Sequence, residues 1–162
     1  MVATRLMDIA AGDPIEAVDV VEAMWAAVYD RDWDRLAGFF TEDSIYYDVP
    51  TGPTTAARGP EGIIARLRLG LDELVGYSHV PGQVAATGET VMVEHAETWT
   101  WAGGETVTLP FVTVHRVVGA HVLLWKDYWD YETLRSAAPP DWEERLMAAD
   151  VSAWLYDATG VA

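Results

Sequence analysis

Two acids stand in the sequence where burial would make them reactive. Along Thr90 to Trp101, alternate residues Val91, Val93, His95, Glu97, Trp99 and Trp101 share one face of a strand, because successive side chains of an extended chain point to opposite sides. That face is apolar except for His95 and Glu97. Near the end of a later strand, Leu123, Trp125, Asp127 and Trp129 share a face, which flanks Asp127 with tryptophan on both sides. A carboxylate among indoles is expensive to bury unless it is partnered or protonated. The simplest arrangement is a network in which an imidazolium at His95 sits between Glu97 and Asp127. Such coupling splits the titrations, so that one acid stays ionised while the other holds a proton near neutral pH. A paired general base and general acid have that requirement. Asp48 is a third acid, on the same face of its strand as Tyr46. The pattern also fits a buried ion cluster that only specifies the fold.

The elements that must carry these residues follow from periodicity. Asp13-Pro14 with Glu16 reads as a helix start, and Val18, Val21, Met24, Trp25, Val28 and Tyr29 recur at helical spacing. A second helix is expected over Asp32 to Phe40 and a strand over Ser44 to Val49. The Pro- and Gly-containing run Pro50 to Gly59 reads as a loop. Pro60 opens a third helix with the stripe Ile63, Ile64, Leu67, Leu71 and Leu74, ending near Gly76. From there the period becomes two. Strands are expected over Tyr77 to Ala86 (interrupted at Pro81-Gly82), Thr90 to Trp101, Thr106 to Val118 and Ala120 to Asp130, with a hairpin turn at Ala102-Gly103-Gly104. Pro139-Pro140-Asp141 caps a last helix through Ala149. Helices followed by a meander of long strands make an α+β fold, a curved sheet over helices that encloses a pocket. No linker, repeat or low-complexity tract divides the chain, so 1–162 reads as one domain, with its core at about 14–134 and a C-terminal helix and tail at 139–162.

Composition limits the partners. The 162 residues carry 26 acidic against 10 basic side chains, a formal net charge of −16, which repels nucleic acid and anionic lipid surfaces. There is no cysteine, so disulfides, thiol nucleophiles and cysteine metal sites are excluded. The four histidines, His79, His95, His115 and His121, lack the close spacing of a metal-binding helix, and neither metal nor cofactor is expected. His115 and His121 read as structural or solvated. The short patch Leu6 to Ala11, broken by Asp8, does not read as a signal peptide, so a cytoplasmic location is expected. Eight tryptophans are more than packing usually needs and fit an aromatic-lined cavity.

These residues resemble the nuclear-transport-factor-2-like (NTF2-like) superfamily, and within it the limonene-1,2-epoxide hydrolases and SnoaL-like polyketide cyclases. Trp125-Lys126-Asp127-Tyr128-Trp129-Asp130 is similar to a family run Trp-Arg-Asp-Tyr-Phe-Asp. Glu94-His95-Ala96-Glu97 is similar to Glu-Arg-x-Asp, and Tyr46-Tyr47-Asp48-Val49-Pro50 to Tyr-x-Asn-x-Pro. The resemblance spans roughly Ile15 to Leu134 and implies an NTF2-like cone. It assigns the base to Asp127, the proton donor to Glu97, the bridge between the acids to His95, and the hold on the attacking water to Tyr46 and Asp48. Three departures stand out: His95 for Arg, Glu97 for Asp, and Asp48 for Asn. An ionised carboxylate only accepts hydrogen bonds, whereas an amide also donates them.

The resemblance thus implies water addition to an epoxide of a small, bulky, apolar molecule. Proton transfer next to a carbonyl is the alternative, as in ketosteroid isomerases, SnoaL-like cyclases or scytalone-dehydratase-like members, to whose Tyr, Asp and His residues Tyr29, Asp30 and His79 are similar. A non-catalytic binding protein is the third reading. Trp25, Tyr29, His79, Trp99, Trp101, Trp125 and Trp129 are the expected substrate-binding residues. An apolar outer sheet face (Met92, Ala96, Val112, Val114, Val122, Leu124) points to a homodimer formed through the sheet.

Overall fold

The computed structural model describes residues 14–161. Helix α1 (Pro14–Asp30) is followed by the short α2 (Trp33–Ala37), β1 (Ile45–Asp48), β2 (Ala56–Arg58), α3 (Gly59–Leu71) and four long strands: β3 (Leu74–Thr87), β4 (Thr90–Trp101), β5 (Thr106–Val118) and β6 (His121–Tyr128). Then come α4 (Tyr131–Ala137), α5 (Trp142–Ala148) and β7 (Leu155–Tyr156). The strands form one sheet in the order β3-β4-β5-β6-β1-β2-β7. Only β1 and β6 run parallel. The result is a curved, open, mixed sheet wrapped over N-terminal helices, the α+β cone that the sequence predicts.

The core lies between that sheet and the helices. The predicted stripe of α1 is buried at Val21, Met24, Trp25 and Val28, and α3 adds Ile63, Leu67 and Leu71. The proposed Asp13 cap and the patch Leu6 to Ala11 lie outside the described residues. On β4 the burial alternates as expected, with Val91, Val93, His95, Glu97 and Trp101 inside.

Several expectations change. Leu74 does not end α3 but starts β3, because the helix stops at Leu71, with Asp72 as its C-cap. The Pro50–Gly59 loop contains a 3-10 turn (Pro53–Thr55) and the strand β2. Helix α4 goes unseen in the sequence; Asp130 caps it by accepting from the backbone N–H of Thr133. The Pro81-Gly82 interruption is a register irregularity within β3. A Cβ on Gly82 would lie 2.9 Å from the Glu94 carbonyl oxygen, so this close approach of strands needs glycine.

On β6 an irregularity opposite Arg116/Val117 inserts Leu123 as an extra residue. It flips the alternation, so Val122 rather than Leu123 faces the core, at 1% exposure. Val122 therefore leaves the outer apolar face. Leu124 leaves it too, packed under Ile45, Tyr47, Tyr156 and Ala158, because the C-terminal segment folds over that half of the sheet. Met92 and Val112 remain exposed on the other half. Among the described residues no helix is long and apolar enough to cross a membrane.

Candidate active site

The parallel pairing of β1 and β6 sets Asp48 directly beside Asp127. Glu97 enters from β4, one strand beyond β5. All three acids line a cavity of about 400 Å³, together with Tyr46, Trp25, Trp99, Trp125 and Trp129. That volume suits a small organic ligand. Helix α5 and the C-terminal tail close one side, where Trp142, Leu146 and Trp154 reach the cavity.

Each acid accepts a hydrogen bond from its own indole. Trp129 Nε1 donates to Asp48 Oδ1 at 2.8 Å, Trp99 Nε1 to Glu97 Oε2 at 3.0 Å, and Trp125 Nε1 to Asp127 Oδ1. In the last two cases indole and carboxyl are two residues apart on one strand, so strand alternation alone puts them on the same face. Tyr77, on β3, donates its hydroxyl to Glu97 Oε1.

Tyr46 links the other two acids. Its hydroxyl oxygen lies 3.1 Å from Asp48 Oδ1 and 3.2 Å from Asp127 Oδ2. That hydroxyl has a single hydrogen, so a proton on one carboxyl completes the second hydrogen bond. Burial, then the charge of Asp48, pushes Asp127 well above the usual carboxylate range. The proton therefore belongs on Asp127: Asp127 donates to Tyr46, and Tyr46 donates to Asp48. Arg66 of α3 holds Asp48 Oδ2 at 2.7 Å, with both side chains largely buried. Glu97 is pushed up to about 7, chiefly by burial, against the hydrogen bonds from Tyr77 and Trp99. One acid cluster is thus anionic beside a carboxyl that keeps its proton up to neutral pH.

His95 does not bridge the acids. Its ring stacks on Phe111 with centroids 4.6 Å apart and lies 4.4 Å from the Trp25 ring. Its nitrogens meet Thr113 Oγ1 at 3.0 Å, His79 Nε2 at 2.8 Å and Tyr29 Oη at 3.3 Å. Burial pushes it down to about 3, so it is a neutral core histidine. With both nitrogens occupied and no charge, it cannot do what a long, cationic Arg side chain does. Tyr29 and His79 belong to this second network, with rings stacked 3.7 Å apart, and they do not line the cavity. Neither does Trp101, which is buried with its indole donating to Glu73. His115 is structural, accepting from Trp25 Nε1, and His121 is exposed.

Several cavity residues escape the sequence reading, and Arg66 and Tyr77 are the ones that meet the acids. Arg66 leaves a signal, a cation three residues after Ile63 and one before Leu67 on the apolar stripe of α3. Tyr77 faces Trp99 across β3 and β4, which alternation from His79 would reveal. Trp154, in the C-terminal tail, lines the cavity with its ring centre 5.5 Å from the Arg66 guanidinium. Among the described residues no group of three or more His, Asp or Glu side chains is arranged to hold a metal ion.

A curved, open sheet wrapped over N-terminal helices to enclose a pocket is an NTF2-like fold. Residues 21–124 match the SnoaL-like domain, and the chain belongs to that family. Among solved structures, an LEH-like epoxide hydrolase of M. tuberculosis is similar at 22% identity, with TM-score 0.65 over 77% of this chain and 90% of the other. An NTF2-like protein of Burkholderia xenovorans LB400 is similar at 24% identity, TM-score 0.68, over 80% of this chain and 100% of the other. A SnoaL-like, polyketide-cyclase-like protein of Shewanella denitrificans OS-217 is similar at 20% identity, TM-score 0.69, over 76% of this chain and 96% of the other. At these identities the likeness is one of fold. No curated protein matches the chain.

Proposed function

We propose that the chain is a cofactor-independent acid–base enzyme for a small, bulky, largely apolar substrate, and that its reaction is addition of water to an epoxide. The observation that carries this reading is the convergence of Asp48, Glu97 and Asp127 on one indole-walled cavity in two different protonation environments. Water held at the Asp48–Tyr46–Asp127 cluster attacks an oxirane carbon and gives a proton to the cluster. Glu97 gives its proton to the oxirane oxygen as the carbon–oxygen bond breaks. One water is consumed, a diol leaves, and the proton returns from the cluster to Glu97 between turnovers. General acid and general base assistance each contribute about 10²–10⁴-fold. His95, assigned to the bridge by resemblance, has only a packing role in this scheme.

A second reading uses the same cluster to move a proton next to a carbonyl, as an isomerase, cyclase or dehydratase would. The raised Asp127 favours it, because a neutral carboxyl can protonate an enolate. Incubation of cyclic terpenoid epoxides in ¹⁸O-water separates the two. A diol carrying one solvent oxygen supports hydrolysis. Solvent deuterium in a cyclic ketone, without oxygen incorporation, supports proton transfer. Tight binding of both ligand types with neither label would leave a carrier protein and overturn the enzymatic reading.

A further inference from the structure

The site has a counter-charge in an unexpected place. Arg66 is the only Lys or Arg lining the cavity among the described residues, in a chain of net charge −16. Its guanidinium binds Asp48 Oδ2 at 2.7 Å, the Thr55 carbonyl at 2.5 Å and Thr51 Oγ1 at 3.3 Å. It lies between two rings, 5.3 Å from the centre of Tyr46 and 5.5 Å from that of Trp154. Its side chain is 10% exposed, and its buried Nε has no hydrogen-bond partner. A surface arginine that only tied down the 51–55 loop would keep its Nε in water. This one is held inside at the expense of an unmet donor, which is reasonable where the charge itself is needed.

We infer that Arg66 is a positioning residue: it holds one negative charge on the Asp48–Tyr46–Asp127 cluster while leaving Glu97, which it does not touch, free to carry a proton. A cation between two acids stabilises the ionised form of both. A cation on Asp48 alone separates them, so base and acid coexist. The groups facing the cluster fit this division. Tyr46 and Asp48 come from β1 and Asp127 from β6, with Glu97 on β4 and Tyr77 on β3 beyond them. Among these Arg66 meets Asp48 by hydrogen bond and Tyr46 through its ring, whereas Glu97 is held by Tyr77 and Trp99. Burial works most strongly against the charge on Arg66, and the combined attraction of Asp48, Tyr46 and Asp127 outweighs it. The consequence for turnover rests on the acid–base reading above; the electrostatic role does not.

The three indoles provide the test, since each reports one acid. In ¹H–¹⁵N spectra of the full chain, the Nε1–H signals of Trp129, Trp125 and Trp99 follow Asp48, Asp127 and Glu97 through a pH titration without any substrate. In Arg66→Met the first deprotonation seen by Trp129 and Trp125 is expected to move up by about 1–3 pH units, the usual effect of losing an adjacent opposite charge. The Trp99 titration should move much less. Arg66→Lys, which keeps the charge and loses the planar fork, should restore most of the parent profile. Thermal melting checks that each variant is folded, and Arg66→Gln takes the place of the Met variant if that one does not fold. An unmoved cluster titration in the neutral variant overturns the inference, as does an equal displacement in the Met and Lys variants, which would make Arg66 a loop anchor only. A displaced titration in a protein that turns over no epoxide or ketone keeps the counter-charge and sinks the proposed activity.

Discussion

Glu97→Gln should make the protein more stable and less active, with a gain that depends on pH. The Glu97 carboxyl accepts from Tyr77 at one oxygen and from Trp99 at the other. Protonated Glu97 satisfies both neighbours if Tyr77 reverses and accepts, and Gln can do the same with its N–H group. Gln is thus a permanent mimic of the protonated acid. Burial raises Glu97 from 4.5 to about 7, a difference of about 2.5 pH units at about 1.36 kcal/mol each, or about 3 kcal/mol. The folded chain binds the proton more tightly than the unfolded chain does. Stability from this group is therefore complete below pH 4.5 and is lost as pH rises to about 7. The variant should match the parent at pH 4 and exceed it by about 3 kcal/mol at pH 9. With a urea dependence of about 2 kcal/mol per molar, the midpoint difference at pH 9 is about 1.5 M. Urea unfolding of both proteins at the two pH values measures it. A stability difference of the same size at pH 4 and pH 9 would refute the reasoning, because it would mean that Glu97 is ionised, or neutral, throughout.

The remaining predictions concern the other residues of the two networks and the outer sheet face. Asp127→Asn should keep the fold, seen by circular dichroism, and lower kcat by about 10²–10⁴-fold, because an amide keeps the hydrogen bond to Tyr46 but cannot exchange a proton as the carboxyl does; near-parental turnover would remove Asp127 from the cluster's chemistry. His95→Ala should cost about 2–4 kcal/mol in chemical denaturation through a core cavity and orphaned partners, while leaving the pH dependence of activity in place; a displaced pH optimum would return His95 to the acid network. The exposed Met92 and Val112 face is proposed to pair two copies of the chain, so Met92→Lys should shift sedimentation from dimer to monomer, and a parent that sediments as a monomer would contradict the pairing.

Strand alternation makes the site legible wherever the strands are regular. From residue types and spacing alone it yields the inner faces of β4 and of residues 125–129, and so Glu97, Asp127 and the paired indoles. It fails at Leu123, where an inserted residue reverses the faces of β6, because the signal for such an insertion is a long-range register and not a local pattern. It places His95 on the inner face but does not say which way the ring turns. The partners that decide this, Phe111, Thr113, His79 and Tyr29, come from three other elements. Arg66 escapes for a related reason. A helix stripe shows which residues face inward, but the pairing with Asp48 depends on how α3 crosses β1. The cone itself is legible because helices followed by long hairpins have few ways to bury one apolar sheet face. The tail is not, since Trp154 and Tyr156 serve opposite sides of the sheet, one at the cavity and one on the outer face.

Turnover in this scheme depends on Glu97 acting as a proton donor opposite an anionic cluster, and the pH dependence of kcat/KM for an epoxide tests that most directly. If the donor must carry its proton, kcat/KM should fall about tenfold per pH unit above about 7 in the parent, and the residual activity of Glu97→Gln should show no such fall. A parent enzyme still fully active at pH 9 would contradict it.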